Sequence, residues 1–194
     1  CEEIMLSLEK SDFVRKAIKA CQFILKMKPA LVDYNLKLAA LYLKVGMLNE
    51  AANQYRIAIN HFAALKDEKK TIALSQDLVS IDPSPENRSK LAEIYQSCGM
   101  TDGAIKQYEV LAKEYRLQKN YDKLLHFYEL ILPHRPENHA ILKDVCILYL
   151  RKQRPERSLR IMEHYKVLDD GDFSDLVKKS QMMVEALRKH KKAS

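Results

Sequence analysis

The chain has 194 residues, 47% of them hydrophobic, with 33 Lys and Arg against 26 Asp and Glu for a formal charge of +7. That hydrophobic share excludes a disordered tail, and four glycines and six prolines leave few places for tight turns, so the composition reads as helix nearly throughout. No run reaches the roughly 18 to 20 apolar residues that cross a bilayer, and the N-terminus lacks the pattern of a signal peptide, so the expectation is a soluble, cytoplasmic segment.

Taken in chain order, apolar residues at three- and four-residue spacing predict helices near 2–9, 12–27, 31–45, 48–65, 69–81, 85–98, 101–118, 121–132, 137–152, 155–167 and 173–190. Gly46 and Gly99 sit where a helix should end, since glycine takes the left-handed conformation without a Cβ clash. Asp82-Pro83-Ser84-Pro85 and residues 133–136 are expected connectors, because proline lacks the N–H and biases the preceding residue away from helix. The last helix, with Leu176, Val177, Met183, Val184 and Leu187, is expected to cap the exposed end of a stack.

Self-similarity organises these elements. Leu38, Ala39, Tyr42, Gly46, Met47, Ala51, Gln54 and Tyr55 recur as Leu91, Ala92, Tyr95, Gly99, Met100, Ala104, Gln107 and Tyr108, always 53 residues on. The offset continues through Phe62 and Tyr115 to Pro83 and Pro136, so one unit holds more than two helices. A degenerate third copy starts near residue 137. There Leu142, Val145, Cys146 and Tyr149 follow at an offset of 54, Ser158 takes the small-residue position and Gln153 stands in place of glycine. Ala51 and Ala104 are small enough for helix backbones to approach closely, and the paired tyrosines are placed to fill the gap between hairpins.

Leu38-Ala39, Tyr42, Gly46, Ala51, Tyr55 and Ala58, repeated as Leu91-Ala92, Tyr95, Gly99, Ala104, Tyr108 and Leu111, resemble the tetratricopeptide repeat family, with its unit of about 34 residues. Ala17, Ile24 and Pro29, then Thr71, Leu78 and Pro83, then Leu124, Ile131 and Pro136 match further second helices that end in the family's proline. Asn35, Arg88 and Leu142 stand where the family usually has Trp, and the spacing makes residues 48–66 and 101–118 long helices shared between hairpins. The resemblance implies an all-α, right-handed superhelical solenoid of helical hairpins spanning 1–194. Its parts are a partial first repeat at 1–30, units at 31–84 and 85–136, a degenerate copy at 137–168, and a capping helix with a basic tail at 169–194.

Catalytic chemistry has no signature. Gly46, Gly99, Gly103 and Gly171 are isolated in helical pattern, so no phosphate-cradling loop is visible. The histidines at 61, 126, 134, 139, 164 and 190 lack metal-ligand spacing, and the cysteines at 1, 21, 98 and 146 form no CxxC pair and read as core thiols. No enzyme activity, metal or cofactor is expected. Cys1 has two readings: the lipidated first residue of a bacterial lipoprotein, or a start partway through a helix of a longer parent, which the repeat register favours.

What remains is shape. The resemblance implies a concave surface lined by the first helix of each pair, at Asp33, Leu36, Ala40 and Lys44, then Glu86, Ser89, Glu93 and Gln96, then Ala140, Lys143, Ile147 and Arg151. The expected function is therefore a protein-interaction scaffold that binds a peptide or partner protein. The clamp for the acidic tail of heat-shock chaperones is missing, because Leu36 and Ala40 stand where Lys and Asn are needed. RNA binding in the manner of pentatricopeptide repeats is a second reading, disfavoured by the 53-residue period and by Glu86 and Glu93; self-association through the exposed first hairpin is a third. Arg151, Lys152, Arg154, Arg157 and Arg160, with the basic end at Arg188, Lys189, Lys191 and Lys192, read as solvated helix, or else as the footing of an acidic partner, RNA or an anionic membrane.

Overall fold

The computed structural model describes residues 2–193, and side chains over 12–190. The described residues form ten α-helices: α1 Glu2–Met27, α2 Val32–Lys44, α3 Leu48–Ala64, α4 Glu68–Ile81, α5 Pro85–Ser97, α6 Thr101–Leu117, α7 Tyr121–Ile131, α8 His139–Arg151, α9 Pro155–His164 and α10 Ser174–Ala193. Short 3-10 turns lie at Leu132–His134 and Gly171–Phe173, and no strand occurs among the described residues. Cys1 and the side chains of Lys191 and Lys192 lie outside them. The all-α class and the shared long helices α3 and α6, 17 residues each, are as the periodicity predicts.

One local expectation is corrected. The N-terminal segment is one helix rather than two, because Ser11 and Asp12 suit a cap but neither breaks the backbone ladder as Pro or Gly does; Asp12 pairs instead with Lys16 one turn on. Residues 133–136 do connect α7, which ends at Ile131, to α8 at His139, and Pro133 lies in the 3-10 turn that follows α7. Pro85 opens α5, after Ser84 in extended conformation (φ −58°, ψ 150°).

Six helix ends close on one pattern. A residue with positive φ follows the last turn at Gly46, Lys66, Gly99, Lys119, Gln153 and Lys166. The next N–H then reaches back to the carbonyl of Tyr42, Phe62, Tyr95, Tyr115, Tyr149 or Met162, at 2.8 to 3.0 Å. These are Schellman closures, which satisfy carbonyls that a helix end otherwise leaves bare. Four of the six are built without glycine. After the first five closures the new helix starts within two residues, and Asp67 and Asn120 cap α4 and α7 by accepting the N–H of Lys70 and Lys123, as Asn138 caps α8 by accepting that of Ile141. Short turns force antiparallel neighbours.

Two compact units result, residues 1–104 and 105–194, with the division inside α6. In the first, Ile18, Leu38, Tyr42 and Ala51 join α1, α2 and α3, and Ala52, Ile59 and Leu78 join α3 and α4 with Ile94 of α5 against them. Ala51 and Ala39 are fully buried, so the small-residue positions do bring backbones together. In the second, Leu142, Val145, Cys146, Met162 and Phe173 are wholly enclosed, and α10 packs on α9 and α8 through Val184 and Ser180. Ser180 meets Ser158 at 3.1 Å, so the small position of the third copy also carries a hydroxyl pair.

A polar bridge repeats with the turns. Gln22 Nε2 donates to Tyr42 Oη at 2.9 Å, Gln76 Nε2 to Tyr95 Oη at 2.6 Å, and Tyr149 Oη donates to the Glu129 carboxylate. Each ties the first helix of a copy to the helix before it. Buried tyrosine needs such a partner, since an unmet hydroxyl costs more than the bond gains.

Candidate functional site

α4 packs against both α3 and α5, and the cleft left between α3 and α5 has a volume of about 290 Å³. Its floor is apolar, from Ile59, Leu78, Leu91 and Ile94, and its rim is polar, from Arg56, Asn60, Lys90 and Glu93. In the second unit α6, α7 and α8 enclose a cleft of about 410 Å³, with Ala112, Ile131 and Ile141 below and Glu109, Lys113, Arg116 and Asn138 above.

The two clefts share a wall. Moving the first by 53 residues carries Arg56, Ile59, Asn60, Ala63, Ser75 and Leu78 onto Glu109, Ala112, Lys113, Arg116, Tyr128 and Ile131, all of which line the second. On that wall Ile59 and Leu78 stay apolar as Ala112 and Ile131 while the rim changes charge, and the α5 residues Leu91 and Ile94 have no counterpart in the second lining.

Each rim is held by charge. Arg56 pairs with Asp82 at 2.8 Å and reaches Asn87 at 3.4 Å. Burial tends to raise the Asp82 pKa, but hydrogen bonds from Asn87 and Ser84 and the Arg56 charge together hold it below the usual carboxylate range. In the second cleft Arg116 donates to Tyr128 Oη at 2.6 Å and to the Asp144 carboxylate, joining all three helices. The bond to Tyr128 raises the Arg116 pKa further, and burial raises that of Tyr128. Cys146, buried beside the Ser158 carbonyl at 3.9 Å, is pushed up to about 11 by burial and is inert as a thiolate source. Cys21 and Cys98 are half-buried.

The twelve residues expected on a concave face lie on α2, α5 and α8. Asp33, Ala40 and Lys44 are exposed on α2 with Leu36 half-buried; Glu86, Glu93 and Gln96 are exposed on α5 with Ser89 half-buried; Ala140, Ile147 and Arg151 are exposed on α8 with Lys143 half-buried. Glu93 stands in the wall of the first cleft. Lys143 pairs with Asp172 at 3.2 Å, and Arg151 lies over the Tyr121 ring, 5.2 Å from its centroid. The α5 residues of the first cleft's wall face α3 across the cleft. Cleft residues such as Asn60 and Lys113 were legible only as an aligned pair of unlike side chains, a weak signal in one sequence.

Glycine or its substitute at each left-handed turn, buried alanines one turn later and tyrosines between hairpins define an all-α array of tetratricopeptide-like helical hairpins. Neither a protein-family model nor a curated protein matches the chain. Similar solved structures include MamA, 18% identical with 93% of this chain and 94% of that one covered at a TM-score of 0.27. BtubC from P. vanneervenii is 16% identical, covering 95% and 91% at 0.36. A tetratricopeptide repeat protein from Parabacteroides merdae ATCC 43184 is 15% identical, covering 97% and 93% at 0.27. The class rests on the chain's own turns and packing. No described helix is long and apolar enough to cross a membrane, and the described residues hold no group of three or more His, Cys, Asp or Glu that suits a metal ion.

Proposed function

We propose that this chain is a protein-interaction scaffold that holds a peptide or a helix of a partner protein in the two clefts. The observation that carries the reading is a recurring wall: Ile59 and Leu78 return as Ala112 and Ile131 beneath a rim that changes from Arg56, Asn60 and Ala63 to Glu109, Lys113 and Arg116. An apolar floor accepts an apolar side chain, and a varied rim selects its neighbours. The α2, α5 and α8 surfaces flank the clefts as secondary contacts.

A photo-crosslinking side chain placed at Asn60 or Lys113, compared with one at Ala40 or Ala140, tests this in lysate of the source cells. Protein adducts from the cleft positions that vanish when Ile59 or Ile131 is replaced by Glu in a still-helical variant support it. Adducts confined to Ala40 and Ala140 transfer the site to the faces of α2 and α8 and overturn the cleft reading.

A further inference from the structure

The excess charge is not spread along the chain. Residues 105–194 hold 19 of the 33 Lys and Arg but 13 of the 26 Asp and Glu, which is +6 of the total +7. Within that unit the turn from α6 to α7 and the turn from α8 to α9 are fastened together. Arg151 lies over the Tyr121 ring, and Lys152 pairs with Asp122. Lys123 Nζ lies 4.9 Å from the centroid of the Tyr115 ring. Lys119, Lys123, Arg151, Lys152 and Arg154 are all exposed there, and Asp122 is the single acid in residues 118–124 and 151–155.

Folding does not require this concentration. The equivalent turns of the preceding copy close with the same backbone bonds, at Lys66 and Gly99. Yet residues 65–71 there carry Lys66, Lys69 and Lys70 against Asp67 and Glu68, and residues 97–101 carry no charge. Taken together the paired turns carry +1 in one copy and +4 in the next, and the whole difference lies in Arg151, Lys152 and Arg154. Lys119 and Arg154 form no side-chain ion pair among the described residues, and both side chains stand in solvent. Grouped cations that neutralise nothing within the chain repel one another and favour an external anion.

We propose that the paired turns at 118–124 and 151–155 form a docking surface for an acidic segment of a partner protein, separate from the clefts. A protein segment fits better than a nucleic acid, because the cluster gives bases little to stack on: Tyr115 is buried with Lys123 beside it, and Arg151 covers one face of Tyr121. Carboxylates need only guanidinium forks and ammonium charges, which Lys119 and Arg154 leave in solvent.

Fluorescence anisotropy with a labelled Asp/Glu-rich peptide tests the surface on the full chain, with a uridine oligonucleotide of equal charge and phosphatidylserine vesicles as the other probes. Lys119→Gln with Arg154→Gln should weaken the peptide about tenfold, in a salt-dependent manner. Glutamine is tolerated in the left-handed conformation at Gln153, so the fold should persist. Lys44→Gln with Lys69→Gln, exposed cations of the other unit, should change binding less than about twofold. Equal weakening by both doubles, or no binding of the peptide by the wild type, overturns the proposal. So does tighter binding of the oligonucleotide or the vesicles that is lost in the first double variant, which assigns the surface to that partner instead.

Discussion

Left-handed turns provide the sharpest test of how this fold is held, because the same closure is made with glycine at two sites and with Lys or Gln at four. At Gly46 an added Cβ would meet no atom within 4 Å, so Gly46→Ala changes backbone conformational energy alone. A left-handed L-residue costs about 1–2 kcal/mol, offset by about 0.5–1 kcal/mol of chain entropy that glycine loses on folding. The expected net loss is about 1 kcal/mol, a fall in Tm of about 2–4 °C for a chain of this size. Lys66→Gly reverses the sign: φ is +58°, its side chain is exposed without an ion pair, and the closing bonds are main-chain. It should gain about 0.5–1 kcal/mol. Urea unfolding followed by helical circular dichroism reads both, as midpoints rather than a two-state free energy, since two units need not melt together. If Lys66→Gly lowers the midpoint, or Gly46→Ala leaves it unchanged, strain at these turns is not what separates the residues.

Other expectations follow from packing and charge. Gly103→Ala should destabilise the chain although alanine is the better helix former, because its Cβ would lie 2.9 Å from the Tyr95 ring; a stabilised variant shows that the ring gives way. Leu142→Ala, at a fully enclosed site, should cost about 2–5 kcal/mol, and a loss below 1 kcal/mol in urea titration would mean the second unit is loosely packed. Asp82 has its pKa depressed, so its pairing stabilises the fold above the unfolded carboxylate pKa of about 3.9 and loses that effect as pH falls through the lower folded value. Asp82→Asn should therefore cost below about 1 kcal/mol at neutral pH, since the pair is about one-third exposed, and progressively less as the pH falls through the folded Asp82 value; a pH-independent difference refutes the linkage.

Most of the helical architecture was legible in local signals. Periodicity located α2 to α9 to within a few residues, and the 53-residue offset identified Gly46 with Gly99 and Ala51 with Ala104 before any packing was known. The miss at the N-terminus has a cause: Ser11-Asp12 carry a local signal for a break, but neither residue prevents the backbone bonds from continuing, so context prevailed. Left-handed Lys66, Lys119 and Lys166 gave no sign in sequence, because lysine seldom takes that conformation and does so here only because the closure and the next helix impose it.

The candidate site divides along the same line. Sequence by itself determined that this is an array of amphipathic hairpins, since burial of one helix face against the next depends on spacing and small residues that a chain displays linearly. It also displayed the basic residues around 151–160. Only the tertiary structure decided that α5 faces α3 across a cleft, and that the turn holding Tyr121 meets the one holding Arg151. Which helices become neighbours depends on the number of helices in each copy and the sense in which each turn reverses, and neither is carried by any single residue.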